Sequence, residues 1–149
     1  GNEFTNKIEE RSKNEETNFV LVSAQIEQEL SLLNEIESNE YLLSLGLSEP
    51  SLKRLISSGY NLLNLISYFT VGPKETRAWT TYKGTKAPQA AGKIHTDFER
   101  GFIRAETISY NDYVKYEGEI GSRDAGKLRV EGSGYIVEDG DVLHFRFNL

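Results

Sequence analysis

The chain contains no cysteine and no methionine, and has only two histidines, three prolines and one tryptophan in 149 residues. Without cysteine there is no disulfide, no thiolate metal ligand and no cysteine nucleophile, a composition that fits a reducing compartment. Without methionine there is no initiator, and the sequence opens on Gly1-Asn2-Glu3 inside what reads as a helix, so a fragment is expected. No run approaches the roughly 20 apolar residues of a membrane span. The N-terminus is acidic and polar where a signal peptide is basic and then apolar, so the expected location is the cytoplasm.

Several reaction classes are also missing their residues. There is no Gly-x-Ser-x-Gly nucleophile elbow and no Gly-x-x-x-x-Gly-Lys-Ser/Thr phosphate loop. His95 and His144 are the candidates for acid-base work, but neither has a second histidine at ligand spacing, so no metal site is expected. His95 falls at a helix end, where a positive imidazole suits the dipole, and His144 sits in a strand opposite Leu143 and Phe145. Asp139-Gly140-Asp141 lacks the further oxygen ligands of a calcium loop and reads as a turn. No catalytic residue is assigned.

What is present is an uneven charge. Residues 1–65 carry eleven acids against five bases, which accounts for the whole net charge of −6. Within the neutral remainder, Lys74, Arg77, Lys83, Lys86, Lys93, Arg100 and Arg104 outnumber Glu75, Asp97 and Glu99. Such an excess draws phosphates, although ordinary surface scatter is the favoured account of it.

Along the chain, Phe4 and Ile8 anchor an exposed helix over 3–16, and Phe19-Val20-Leu21-Val22 reads as a strand buried on both faces. Ile26, Leu30, Leu33 and Ile36 form the stripe of one helix beginning at Ser23 or Ala24. A short helix starts at Ser38 and ends near Gly46, and Ser48-Glu49-Pro50 opens the next, an amphipathic connector. Helix, buried strand and helix is an α/β alternation, but one strand makes no sheet, so part of that layer lies upstream.

From Leu65 the period changes to two. Residues 66–71 and 76–82 are β-branched and aromatic around a Gly72-Pro73 turn, a hairpin. Ala87 to His95 suits a helix lying close on a sheet, and Phe102–Ile108 and Val142–Phe147 alternate as strands. Residues 111–121 read as short helix or loop, and Gly126, Gly132 and Gly134 punctuate an irregular stretch before Tyr135. The order ββαβ…β is that of a β-grasp.

The run from Phe69-Thr70-Val71-Gly72-Pro73-Lys74 through Arg77-Ala78-Trp79-Thr80, followed by Ala87-Pro88-Gln89-Ala90-Ala91-Gly92-Lys93-Ile94-His95-Thr96-Asp97-Phe98-Glu99-Arg100-Gly101, resembles the YchF family of Obg-like ATPases. Ser109-Tyr110-Asn111-Asp112-Tyr113, Gly126-Lys127-Leu128-Arg129-Val130-Glu131-Gly132 and Tyr135 to Val142 do so too. Upstream, Leu21-Val22-Ser23-Ala24-Gln25-Ile26-Glu27 looks like the Ser-Ala-x-x-Glu loop that lines the family's base pocket. The resemblance implies an α+β chain: a C-terminal ubiquitin-like β-grasp (TGS) domain over 65–149, preceded over 1–64 by a helical or α/β remnant of a P-loop nucleotide-binding domain with its helical connector.

It further implies a ribosome-associated parent that hydrolyses ATP, or less favourably GTP, with Mg²⁺. Its phosphate loop lies outside this sequence, so no nucleotide is expected to bind stably and no hydrolysis is expected here. Ser23, Ala24, Gln25 and Ile26 would touch the base, although a plain N-cap serine explains Ser23 equally well from spacing alone. The TGS likeness implies ribosome or RNA contact, for which Lys83, Lys86, Lys93, Arg100 and Arg104 are the candidate phosphate partners. Trp79, Phe98 and Tyr110 are candidate stacking faces, though strand-borne aromatics usually bury. The alternative is a protein-interaction β-grasp that binds no nucleic acid.

Overall fold

Asparagine and serine caps decide where the first helices begin. In the computed structural model, which describes residues 2–148, Asn2 and Thr5 form a reciprocal capping box that opens α1, Glu3–Asn14. Ser23 caps α2, Ala24–Leu30. The single helix expected to carry Ile26 through Ile36 does not form. Asn34 and Glu37 build a second capping box, so α2 stops and α3, Glu35–Ser44, starts there rather than at Ser38. The apolar stripe is broken as a result, and Ile36 is 72% exposed. Leu30 and Leu42 are the buried apolar side chains of this region.

Gly46 closes α3 at a φ of +69°, and the Leu47 N–H donates back to the Leu42 carbonyl at 2.9 Å, a Schellman-type ending that favours glycine. The next helix, α4 (Ser51–Leu62), starts one step later than expected. Pro50 occupies its cap position without a side-chain acceptor. Glu27 of α2 substitutes, its carboxylate accepting from the Ser51 N–H at 2.7 Å. The segment 19–22 is no strand, and Leu21 and Val22 are 43% and 47% exposed. No strand lies beside it among the described residues, so its N–H and C=O groups have no ladder to join.

Contacts divide the chain into two compact units, Gly1–Leu63 and Asn64–Leu149. In the second, β1 (Leu65–Val71) pairs antiparallel with β2 (Thr76–Tyr82) in a register from Leu65 opposite Tyr82 to Val71 opposite Thr76. The chain turns at Gly84, φ +90°, into α5 (Ala87–Ile94) and α6 (Thr96–Arg100). It returns as β3 (Phe102–Ser109), passes through α7 (Tyr110–Lys115) and α8 (Glu119–Asp124), adds β4 (Arg129–Glu131), and ends in β5 (Asp141–Phe147). The sheet order is β2-β1-β5-β3-β4, with β1 and β5 parallel and the other neighbours antiparallel. This mixed five-stranded sheet with α5 across one face is a β-grasp in an α+β chain. The sequence pattern alone missed α6 and β4, which are five and three residues long.

The core explains the alanines. Ala87, Ala90 and Ala91 on one side of α5 are fully buried against Ile66, Tyr68, Ala105, Leu143 and Phe145. Residues without long side chains let the helix axis approach the sheet closely. Tyr68 is also fully buried, and its hydroxyl donates to the Ala90 carbonyl at 2.7 Å. Burial pushes its phenol pKa well up.

Candidate functional site

α5 has two different sides. Its inner alanines fix it to the sheet, while Lys86 at the N-cap and Lys93 in the last turn are exposed. Lys86 precedes the helix on extended backbone and Lys93 lies in its last turn, so an exposed cation stands at each end of α5. The segment around Tyr135 holds the start of α5: the Ala87 N–H donates to the Tyr135 carbonyl at 2.9 Å, and Lys86 bridges Ile136. Lys83 sits just before the Gly84 turn and is exposed, its backbone N–H donating to the Asn64 carbonyl at 2.7 Å. Arg100 ends α6 and is exposed.

Arg104 is separated from these four. It lies on β3 opposite Arg146 of β5, on the side of the sheet turned away from the buried Ala105. There Glu106 takes Arg146 at 3.0 Å and Arg104 at 3.3 Å. The Arg146 hydrogen bond holds the Glu106 carboxyl below its usual range, against an opposing effect of burial. Arg104 is therefore engaged in an ion-pair cluster, and Arg146 was not among the residues singled out from sequence.

The same cluster brings His144 and Glu119 within reach of Glu106, their ligand atoms lying within 4.8 Å of one another. Sequence spacing could not bring these three together, because they come from β3, α8 and β5. Two guanidinium groups already occupy the Glu106 carboxylate, and they oppose a cation there. His95 joins α5 to α6 rather than only ending a helix: its Nδ1 accepts from the Asp97 N–H at 3.2 Å, so it acts as the N-cap of α6. His95 thus stands at the start of one helix as well as at the end of another, and the Asp97 carboxylate lies 3.4 Å from the same nitrogen.

Asp139 and Asp141 are consumed by the fold. Asp139 Oδ1 accepts from the Ser67 N–H at 2.8 Å. The buried Asp141 accepts from the Tyr135 hydroxyl at 2.7 Å and the Glu138 N–H at 2.9 Å. Burial raises the Asp141 pKa, while these donors and Arg129 pull it down.

In the first unit, Ser23 Oγ accepts from the Ile26 N–H at 3.4 Å, a long cap. The Gln25 amide is turned along the helix to Glu29, 3.0 Å away. What this loop can offer a ligand edge is therefore the backbone N–H groups of Ala24 and Gln25, the first two of the helix, which have no intrahelical acceptor. Such donors fit a carbonyl or ring-nitrogen acceptor.

Among the aromatic candidates, Tyr110 is exposed, and Trp79 and Phe98 are half-buried at the edge of the core. The Trp79 indole N–H donates to Thr70 Oγ1 at 2.9 Å, and the Arg77 guanidinium lies 4.2 Å from its ring centroid. No helix among the described residues is long and apolar enough to cross a membrane.

Comparison with known proteins covers both units. The model of the YchF-GTPase C-terminal domain, described as a protein of unknown function, matches residues 65–148. The ribosome-binding ATPase YchF of Escherichia coli O157:H7 is 52% identical over 148 residues, which is 99% of this chain and 41% of that protein. The protein of the same name from Bacillus subtilis (strain 168) is 50% identical over 149 residues, all of this chain and 41% of the relative. The solved structure of the Schizosaccharomyces pombe YchF GTPase is 40% identical and superposes with a TM-score of 0.81 over 97% of this chain and 39% of its own. A GTP-binding protein from Pyrococcus horikoshii OT3, 17% identical with a TM-score of 0.67, shares the fold. The chain spans about two fifths of the length of the curated relatives it matches.

Proposed function

This chain belongs to the YchF family, and from that premise we propose that it supplies the ribosome-contacting arm of a nucleotide hydrolase rather than the hydrolytic centre. The observation that carries the proposal is the set of exposed cations around α5. Lys86 and Lys93 stand exposed at the two ends of a helix held to the sheet by buried alanines, with Lys83 and Arg100 on the segments beside it in sequence. Cations fixed at the ends of a rigid helix contact a phosphate backbone without reordering it. These residues are the proposed RNA contacts. Arg104 belongs to the set only if it leaves Glu106.

The 1–64 region is proposed as the C-terminal edge of the nucleotide-binding domain and its helical connector, and 65–149 as the TGS domain. Ile36, Leu52, Ile56 and Leu62 are all more than half exposed, which suits a unit that is one layer of a larger body. The Ser23 to Ile26 loop would contribute Ala24 and Gln25 N–H groups to the base of ATP or GTP, with Mg²⁺ and the phosphates held by residues outside this sequence. A second reading, protein interaction, is favoured by β2, which forms one edge of the sheet among the described residues, since an edge strand is where a partner's strand can add.

Co-sedimentation with ribosomes, before and after nuclease treatment, separates the two. Binding that disappears with the RNA supports the proposed contact. Binding that survives nuclease and is lost on disrupting β2 supports the edge-strand reading.

A further inference from the structure

Beyond the α5 cations, the β-grasp unit contains a groove of about 440 Å³. It is lined by Thr70 of β1, Arg77 and Trp79 of β2, Ile94 and Phe98 of the α5–α6 corner, and Phe147 at the end of β5, with Leu143 and Phe145 of the core and the polar Glu75 and His144 also on its wall. That volume lies in the range of roughly 300–1,000 Å³ typical of small-molecule pockets. Three features restrict its occupant. Phe98 and Phe147 are stacked with centroids 3.9 Å apart, so they form one rigid aromatic wall. Trp79 faces the groove with its indole N–H fixed on Thr70, which leaves the ring no other polar demand. The rim carries a cation: Arg77 lies over Trp79, and its acidic partner Glu75 is 3.8 Å away, both side chains being more than half exposed. An exposed pair at that distance is weak and exchanges readily for another anion.

We propose that this groove holds an unpaired nucleobase of single-stranded RNA, the base entering among Trp79, Phe98 and Phe147 while Arg77 takes the adjoining phosphate. The inference rests on the RNA reading given above and deepens it by naming a second kind of contact. Flat aromatic walls accept any base through its π-face, and a guanidinium at the mouth answers the phosphate that every base carries with it. Lys74, exposed beside Glu75 in the same hairpin turn, offsets the charge of that carboxylate. An uncharged apolar peptide would fill the groove but would gain nothing from those cations, which is why the nucleotide is the better fit.

Because Trp79 is the sole tryptophan, its emission reports on the groove directly. The 149-residue chain is titrated with end-labelled hexaadenylate and with an abasic ribose-phosphate hexamer, following tryptophan emission and label anisotropy together. The proposal expects hexaadenylate to quench Trp79 and the abasic strand to bind without quenching. Arg77→Ala and Phe98→Ala are each expected to weaken hexaadenylate binding about tenfold. Arg77 is exposed, so its variant keeps the test valid if Phe98→Ala disturbs the fold. Hexaadenylate binding with unchanged emission, insensitive to Arg77→Ala but lost in Lys86→Ala/Lys93→Ala, overturns the groove assignment and leaves the RNA reading standing. Absence of any anisotropy change at low salt removes both. Quenching by an apolar peptide but not by hexaadenylate overturns the nucleobase in favour of a protein partner.

Discussion

The hydroxyl of Tyr68, in the second strand position of the sheet order, donates to the carbonyl of Ala90 in the middle of α5 at 2.7 Å, and both residues are fully buried. This bond ties the helix that presents Lys86 and Lys93 to the sheet beneath it. Tyr68→Phe keeps the ring and removes the donor, so a loss of about 1–3 kcal/mol is expected, measured as a lower urea midpoint with an unchanged slope. Burial holds the folded phenol above the value near 10 at which it ionises in the unfolded chain. The unfolded state thus releases its proton first, and stability falls as pH rises past 10. Tyr68→Phe should remove part of that alkaline loss. An identical alkaline slope in the variant would show that Tyr68 does not contribute to it.

Gly101, between α6 and β3, is fixed by proximity rather than by an unusual φ. A Cβ there would meet the backbone carbonyl oxygen of Asn148 at 1.9 Å, and the Asn148 N–H donates to the Gly101 carbonyl at 2.9 Å. Gly101→Ala should therefore force the chain after β5 away and cost more than about 1 kcal/mol, with the amide protons nearest Phe147 losing protection first. Gly134, with nothing within 4 Å of a built Cβ, is the control, and Gly134→Ala should leave stability nearly unchanged.

The Glu106 cluster predicts an acid-side effect of opposite sign. Arg146 and then Arg104 hold the folded carboxyl below its ordinary value near 4.5. The unfolded chain takes up the proton first as pH falls, so the stabilisation is complete above that value and is lost below it. Glu106→Gln should lower stability at neutral pH and flatten the pH dependence of the urea midpoint below about 4.5. A variant that keeps the full acid-side loss would assign it to other carboxylates.

Hydrolysis supplies a further check. With no Gly-x-x-x-x-Gly-Lys-Ser/Thr run in its sequence, the purified chain should release phosphate from ATP no faster than buffer. Turnover that scaled with protein concentration would contradict the proposed division of labour.

Period-two alternation and turn residues made the hairpin, β3, β5 and α5 legible in advance, because each is long and lies on the core. α6 and β4 were hidden by their length, and α2 and α3 were merged because Asn34 was not read as a cap inside a regular apolar stripe. Phe19–Val22 misled for a different reason: strand character in a sequence does not supply a neighbouring strand. The α5 lysines were visible as charge, whereas the pairing of Arg104 with Glu106 and Arg146 depends on a strand register that no local pattern contains. The groove could not be read at all, since Arg77, Phe98 and Phe147 meet only when hairpin, helix corner and last strand converge.

The most direct test of the proposed ribosome-contacting arm is a salt titration of ribosome binding by the chain and by Lys86→Ala/Lys93→Ala. If these lysines meet phosphates, log affinity falls linearly with log salt, and removing two contacts weakens binding and makes the slope shallower by about 1.5–2. Unchanged affinity and an unchanged slope in the double variant would contradict it.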